Sequence, residues 1–158
     1  MSVIVRIAGP EDAAAIASLR TAWTGVGETG FERRLAAWLD DEGERRTVWL
    51  GEVDARPVGM ASLWEYRRMP RSGQPDSRWG YLSNMFVLDR WRDRGVGSAL
   101  LAAVVGAAEE RGYVRIVLSP TLRSVPFYER AGFVVADGSA GGDLLLVRPR
   151  TVLPDVRE

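Results

Sequence analysis

The chain has 158 residues, 46% of them hydrophobic, with 21 basic and 21 acidic side chains and a formal net charge of +0. This length suits one domain over residues 1–158, and the balanced charge gives no support for a nucleic-acid or membrane partner. Cysteine and histidine are absent, which excludes a disulfide scaffold, thiolate and imidazole metal ligands and an imidazole base, so we expect no metal.

The beginning of the chain predicts one strand and two helices. Residues 4–7 predict the strand, and a helix opens at residues 9–12 with proline and acidic residues in its first turn and runs to about Trp23. Thr29 and Glu32 have the spacing of a capping box for the second helix. The apolar residues that this helix would place on one face are Phe31, Leu35, Trp38 and Leu39.

A hairpin and a long loop follow. Residues 47–53 and 57–66 predict the two strands of the hairpin. Residues 67–79 are polar and rich in Gly, Pro and Ser, and this segment is longer than a typical connection, which favours a functional or mobile loop. No segment approaches the ~20 apolar residues of a membrane span, and residues 1–6 lack the apolar run of a signal peptide. We therefore expect a soluble, cytoplasmic protein.

A glycine-rich turn joins the next strand to the next helix. Residues 81–87 have the aromatic and β-branched content of a buried strand, and apolar residues recur at helical spacing over residues 99–108. Between them lies the pattern Arg92-x-x-Gly95-x-Gly97. Glycine lets the backbone approach an anion, and the free N–H groups of a helix start point at it. The turn therefore predicts a phosphate-binding loop.

Spacing excludes two other glycine-rich phosphate loops. A dinucleotide fingerprint requires a small residue where this chain has Leu100. A nucleotide P-loop requires lysine, and all 21 basic residues here are arginine.

The last third of the chain carries a second motif. Residues 114–119 predict a strand, followed at 124–133 by Ser-Val-Pro-Phe-Tyr-Glu-Arg-Ala-Gly-Phe. Pro126 suits the first turn of a short helix, and Gly132 suits a left-handed stop that returns the chain to the sheet. Residues 133–135 and 144–147 are predicted to pair across a turn at 137–142.

These two motifs, in this order, resemble those of the GNAT superfamily of N-acetyltransferases. The family's acyl-CoA pyrophosphate loop, Gln/Arg-x-x-Gly-x-Gly/Ala, matches at Arg92, Gly95 and Gly97, and residues 127–133 resemble its closing helix and strand. The resemblance implies an α/β GNAT fold with a mixed, mostly antiparallel central sheet of about seven strands flanked by four helices. It covers nearly the whole chain.

The resemblance also implies an activity and a site. In the family an acetyl group passes directly from acetyl-CoA to a primary amine, here expected to belong to a small molecule, while the thioester lies between the splayed fourth and fifth strands. Tyr128 matches the tyrosine that protonates the leaving thiolate. The residues expected to contact acetyl-CoA are Phe86, Val87, Arg92, Asp93, Arg94, Gly95, Val96, Gly97, Ser98, Ser119, Ser124 and Phe127.

The chain departs from the family pattern at the general base. Many members place a glutamate on the fourth strand, and this strand has no carboxylate. Glu65 or Glu32 could act through water, or an amine of low pKa could react without a dedicated base. A non-catalytic acyl-CoA-binding or sensory module and a protein or peptide N-acetyltransferase are the alternative functions, and homodimers are common in the family.

The acceptor is expected beside the second helix and the 67–79 loop. Four cations of this loop favour an acceptor that bears a carboxylate or phosphate over a polyamine. These cations are Arg67, Arg68, Arg71 and Arg78.

Overall fold

A computed structural model describes residues 1–136 and 145–150. In these residues one sheet has the spatial order β1-β2-β3-β4-β5-β7-β6. Its strands are β1 (Val3–Ile7), β2 (Arg46–Val53), β3 (Arg56–Arg67), β4 (Arg78–Val87), β5 (Arg115–Leu118), β6 (Val134–Val135) and β7 (Leu146–Pro149). Strands β4 and β5 run parallel and the other neighbours run antiparallel, which confirms the predicted mixed, mostly antiparallel sheet.

Four α-helices cover the two faces of the sheet. They are α1 (Ala13–Thr24), α2 (Phe31–Glu42), α3 (Val96–Glu110) and α4 (Val125–Glu129). Because side chains alternate along a strand, Leu50 of β2 packs with α1 and α2, whereas its neighbour Trp49 packs with α3 and α4. The four predicted helices are confirmed, and none of those in the described part of the chain is long and apolar enough to cross a membrane.

The starts of the first two helices are built differently from each other. Asp12 accepts a hydrogen bond from the Gly9 N–H at 2.8 Å and two from the Arg6 guanidinium at 2.8 Å, so it ties the start of α1 to β1. The bonds from Arg6, and the smaller contribution of Gly9, outweigh burial and lower the pKa of Asp12 to about 2. The capping box predicted for α2 is wrong, because the helix begins after Gly30, a left-handed residue without a side-chain cap bond.

The loop between β3 and β4 is shorter than predicted. Arg67 and Arg78 pair across the ladder as the last residue of β3 and the first of β4, so residues 68–77 alone connect the strands. Farther along, Val134 pairs with Val147 as predicted. The turn predicted between them, at 137–142, lies outside the described residues.

Candidate active site

The site is built where β4 and β5 separate. Their pairing is confined to Gly80 with Ile116 and Tyr81 with Val117. Beyond these pairs β4 continues to Val87, whereas β5 ends at Leu118. A gap therefore opens beside the second half of β4, as the family resemblance predicts.

A β-bulge lies on the gap-facing half of β4. Met60 pairs with Phe86 and Ser62 with Ser83, so two residues of β4, Asn84 and Met85, oppose one residue of β3. Asn84 has a φ of 54°, in the left-handed region that asparagine tolerates better than most residues. A bulge leaves a residue unpaired in the ladder and turns its backbone away. The bulge thus supplies a backbone position able to donate to a ligand in the gap.

The predicted phosphate-binding loop has the backbone that anion binding requires. Asp93 and Gly95 have left-handed φ values of 58° and 85°, and α3 begins immediately after Gly95. Turns of this kind direct successive N–H groups to one side, and the helix dipole adds positive potential there. Nothing lies within 4 Å of the position that a Cβ on Gly95 would take, so this side of the turn is open.

The glycine turn, the end of β4 and α4 meet at one point. A Cβ built on Gly97 would lie 3.5 Å from Cζ of Phe127 and 3.9 Å from Cγ2 of Val87. Next to this point, Ser98, Phe127 and Arg130 help to line a groove of about 260 Å³ between α3 and α4. Four of the residues predicted to contact acetyl-CoA, Val87, Gly97, Ser98 and Phe127, are therefore brought together beside a groove.

The other predicted cofactor residues take more varied positions. Arg92 folds back on the loop, with Nε donating to the Val87 carbonyl at 3.3 Å and Nη2 lying 3.2 Å from Asp89. Ser119 accepts a hydrogen bond from the Tyr81 hydroxyl at 3.2 Å, and Ser124 donates to the Thr121 carbonyl at 2.8 Å. The remaining predicted contacts are Phe86, buried on the α1 and α2 face, Val96, buried at the start of α3, and Arg94, exposed above the Trp91 ring.

Tyr128 lies in the core beside the gap. It is 7% exposed and packs edge-on against Phe127 and Phe133, at ring-centroid distances of 5.0 Å and 5.6 Å. Gly132 has a φ of 93°, which confirms the predicted left-handed end of this helical turn. Burial raises the pKa of Tyr128 to about 12, so the phenol stays protonated at neutral pH.

Glu65, one of the two candidate bases, is held in a structural cluster beside the pairs that join β4 to β5. It pairs with Gly80 at the start of β4. Its carboxylate accepts hydrogen bonds from Arg67 at 2.7 Å, Arg78 at 3.3 Å and the Tyr113 hydroxyl at 2.7 Å. Burial raises the pKa of Glu65, but these hydrogen bonds and the two guanidinium charges outweigh it and hold the pKa below its usual range. The Glu65 carboxylate is therefore a weak base, and its oxygens already accept hydrogen bonds from Arg67, Arg78 and Tyr113.

We expect Glu65→Gln to reduce the free energy of unfolding by about 1–3 kcal/mol, the cost of weakening a buried charge-assisted cluster, while kcat stays within about twofold of wild type. The pKa of Glu65 is lower in the folded state, so its stabilisation is present above the unfolded pKa of about 4.3 and is lost as the pH falls through the folded value. Urea denaturation at pH 7 and at pH 3 measures both effects.

Glu32→Gln is the matched control, because Glu32 is exposed on the first turn of α2. Neither stability nor kcat should change in this variant. A tenfold loss of kcat in either variant, with unchanged stability, would identify that glutamate as the base.

A second cleft reaches the bulge from the opposite face of the sheet. It has a volume of about 180 Å³, lies between α1, α2 and the strands, and has Arg20, Ser62 and Asn84 as its polar lining. All four apolar residues predicted to share a face of α2 also line it: Phe31, Leu35, Trp38 and Leu39. The prediction that the second helix borders the acceptor site agrees with this position.

Sequence reasoning missed the polar network at the floor of this cleft. Arg20 Nη1 donates to Asn84 Oδ1 at 3.1 Å, and Asn84 Nδ2 donates to Ser83 Oγ at 3.3 Å. Arg46 donates to Ser62 Oγ at 2.9 Å and is paired with a carboxylate of α2. Isolated arginines such as Arg20 on α1 and Arg46 on β2 belong to no sequence motif, so the contacts of the folded chain are needed to find them.

The 68–77 loop, flanked by Arg67 and Arg78, lies away from both the glycine turn and the 180 Å³ cleft. Arg67 and Arg78 are bound to Glu65, and Arg78 also donates to the Arg111 carbonyl at 2.7 Å. β4 has ten residues from Arg78 to Val87, or roughly 30 Å at 3.3 Å per residue, so the loop and the glycine turn are at opposite ends of the strand. None of residues 68–77 lines the 180 Å³ cleft. In residues 1–136 and 145–150 no cluster of acidic side chains forms a metal site.

The separated parallel strands, the left-handed glycine turn before α3 and the tyrosine of α4 together define the class, a protein with the fold and the motifs of the GNAT superfamily. The model of the acetyltransferase (GNAT) family matches residues 13–133, and the chain belongs to this family.

Relatives within the family act on different acceptors, as their names state. Glucosamine 6-phosphate N-acetyltransferase of Trypanosoma brucei brucei is 29% identical over 86 residues, 54% of this chain and 56% of that protein. Aminoglycoside N(6')-acetyltransferase type 1 of Stenotrophomonas maltophilia is 34% identical over 109 residues, 68% of this chain and 69% of that protein. The chain spans 56 to 60% of the length of the first three curated relatives it matches.

A solved structure shares the whole fold. The crystal structure of an acetyltransferase from Clostridium acetobutylicum with acetyl-CoA has a TM-score of 0.71 to this chain at 20% identity, and the match covers 89% of this chain and 95% of that one. At this level of identity the similarity establishes the fold alone.

Proposed function

We propose that the chain is an acetyl-CoA-dependent N-acetyltransferase that transfers an acetyl group directly to a primary amine of a small molecule. The observation that carries the proposal is the gap between β4 and β5, bordered by the bulge at Asn84, the turn at Gly95 and the α4 tyrosine, Tyr128. Family membership and the fold shared with an acetyltransferase solved with acetyl-CoA support it.

The glycine turn fits a pyrophosphate. The N–H groups at the start of α3, the open side of Gly95 and the helix dipole provide donors and positive potential without a side chain in the way. Arg92 braces the turn from behind through the Val87 carbonyl. Ser98, Phe127 and Arg130, which help to line the 260 Å³ groove, are available to the remainder of the nucleotide.

The residues around the gap supply the chemistry of transfer. Acetyl-CoA provides the acetyl group as a thioester, and the backbone exposed by the bulge donates to its carbonyl oxygen, an interaction worth about 3 kcal/mol per donor in other enzymes. The amine nitrogen attacks the carbonyl carbon, so that a C–N bond forms and the C–S bond breaks. Tyr128 donates a proton to the departing sulfur, and the amine releases its proton to water.

A small acceptor agrees with the size of the cleft. The cleft of about 180 Å³ between α1, α2 and the sheet shares Ile16, Leu39 and Val48 with an adjoining cavity of about 470 Å³, and the two together are within the usual range of small-molecule pockets. The cleft meets the bulge at Asn84, so an amine entering from this face reaches the thioester carbonyl from the side opposite α3 and α4. The two relatives named above, one for a phosphorylated amino sugar and one for aminoglycosides, also take small amines.

The test is a measurement of free CoA release from acetyl-CoA with a panel of amino acids, polyamines, aminoglycosides, amino sugars and short peptides. Mass spectrometry of the acceptor then confirms acetylation. We expect at least one small amine to be acetylated. Acetyl-CoA binding without release for every amine would favour the non-catalytic module, and acetylation confined to peptides would favour the peptide N-acetyltransferase.

A further inference from the structure

Arg20 is a positioned cation without a carboxylate partner among the described residues. One of its five N–H donors is used, by Asn84 Oδ1 at 3.1 Å. Its guanidinium lies 5.1 Å from the centroid of Trp23, whose ring in turn stacks on Phe86 at 5.1 Å and 5°. A cation held on an aromatic face by one bond loses little further freedom when it binds an anion. The side chain therefore has donors to offer and a fixed place from which to offer them.

The rest of the cleft is mostly apolar. Seven of its ten lining residues are hydrophobic, and Arg20 is the one whose side chain is charged. The cations that contact lining residues from outside are paired with carboxylates: Arg46, on Ser62 and the Trp38 ring, with Glu42 at 2.7 Å, and Arg34, on the Phe31 ring, with Glu28 at 3.0 Å. Asp40 lines the adjoining cavity. A sugar or aminoglycoside would leave several hydroxyls without partners against such walls, at a cost for each. A ligand with one anionic group and an apolar body matches the lining.

We propose that Arg20 binds the carboxylate of an α-amino acid whose apolar side chain lies between α1 and α2 and whose amine accepts the acetyl group. This inference rests on the proposed function and names its substrate class. A guanidinium and a carboxylate fit each other through paired hydrogen bonds. Since Arg20 contacts the bulge residue itself, the anion and the reacting amine are only a few bonds apart, as in an α-amino acid and unlike a polyamine or a peptide N-terminus.

Arg20 also explains how the acceptor amine loses its proton without a carboxylate base. A nearby positive charge disfavours the protonated amine and lowers its pKa. No carboxylate lines the cleft in the described part of the chain, and Arg20 is the charge that an amine there would meet. Arg20 thus both positions the acceptor and raises the fraction of its amine that is free to attack.

The experiment compares L-leucine, L-methionine and L-phenylalanine with their carboxamides in wild type and in Arg20→Gln. CoA release gives kcat/KM, and tryptophan fluorescence, with Trp23 and Trp38 at the cleft, gives affinity in the presence of CoA. Wild type should prefer acids to amides by tenfold or more. At about pH 9, above the α-amino pKa of about 8, Arg20→Gln should lower kcat/KM for the acids by about 10- to 100-fold and leave the amides within about twofold. It should also move the acidic limb of the pH profile of the acids to higher pH.

Arg68→Gln is the matched control, because Arg68 is exposed in the 68–77 loop, outside the cleft. It should behave as wild type, and a selective loss for acids in this variant would overturn the role of Arg20. Equal use of acids and amides by wild type, an equal loss for both in Arg20→Gln, or acetylation of other amines alone would also overturn it. Arg20-dependent binding of the acids with no CoA release from any amine would keep the carboxylate site and reject the transferase.

Discussion

Tyr128→Phe should lower kcat by roughly 10²-fold or more and leave acetyl-CoA affinity within about twofold. The substitution keeps the ring that packs against Phe127 and Phe133 and removes the proton donor, and general acid catalysis usually contributes 10²-fold to 10⁴-fold. An interaction made mainly in the transition state lowers kcat with little effect on ground-state binding. Steady-state CoA release and an acetyl-CoA titration measure the two quantities.

Tyr113→Phe is the control for losing a buried hydroxyl. The Tyr113 hydroxyl donates to Glu65 at 2.7 Å in the cluster at the start of β4, so its removal should reduce stability by about 1–2 kcal/mol and leave kcat near wild type. Because the pKa of Tyr128 is raised to about 12, activity should show no loss from its deprotonation below pH 10. A near-normal kcat in Tyr128→Phe would assign this tyrosine to packing alone.

The part of the site that sequence reasoning located is the part encoded by adjacent residues. The turn from Arg92 to Gly97 and the helix ending at Gly132 are local structures, where missing Cβ atoms and a proline restrict the backbone almost independently of the remaining chain. Glycine spacing was therefore enough to place both, and Gly95 and Gly132 are left-handed. The separation of the fourth and fifth strands was predicted from the family resemblance.

The acceptor side depends on contacts between distant residues, and sequence reasoning largely missed it. Asn84 is 64 positions from Arg20 in the sequence. The bulge that contains Asn84 depends on the register between β3 and β4, which the sequence of neither strand shows alone. Glu65 was a candidate base acting through water because it lies near the end of the third strand, beside the loop that carries Arg67 and Arg78. In the fold Arg67 and Arg78 both form ion pairs with Glu65. Glu65 is therefore a poor base, and these two arginines are already paired with a carboxylate.

Arg78 and Arg20 differ in how many of their hydrogen-bond donors are free to bind an anionic acceptor. Arg78 donates to the carbonyl of Arg111, 33 positions away in the sequence, and so joins the start of β4 to the residue that follows α3. Arg20 lies over the Trp23 ring, uses one of its five N–H donors on Asn84, and borders the cleft proposed for the acceptor. The expectation of an anionic acceptor is thus kept, and the structure favours a helix arginine over the loop arginines as its partner.

The second large effect is expected for Gly97→Val. Saturating acetyl-CoA should raise the Tm of wild type by several degrees, since ligand at 100 times Kd stabilises by about 2.7 kcal/mol, and Gly97→Val should lose this shift. A Cβ at Gly97 already lies at ordinary contact distance from Phe127 and Val87. The two further methyl groups of valine would add bulk where α3, α4 and the end of β4 meet, on the proposed path of the cosubstrate.

Gly106→Val separates this steric effect from the general cost of valine in a helix. Gly106 lies in the same helix, α3, is exposed, and has nothing within 4 Å of its Cβ position. Both variants place a valine in α3, Gly97→Val in the first turn and Gly106→Val at an exposed interior position, so the Tm of each without ligand is the reference for its own shift. Only Gly106→Val should keep the wild-type shift with acetyl-CoA. A full Tm shift in Gly97→Val would mean that acetyl-CoA binds away from the glycine turn, because the valine side chain would block a cosubstrate that lies between α3, α4 and the end of β4.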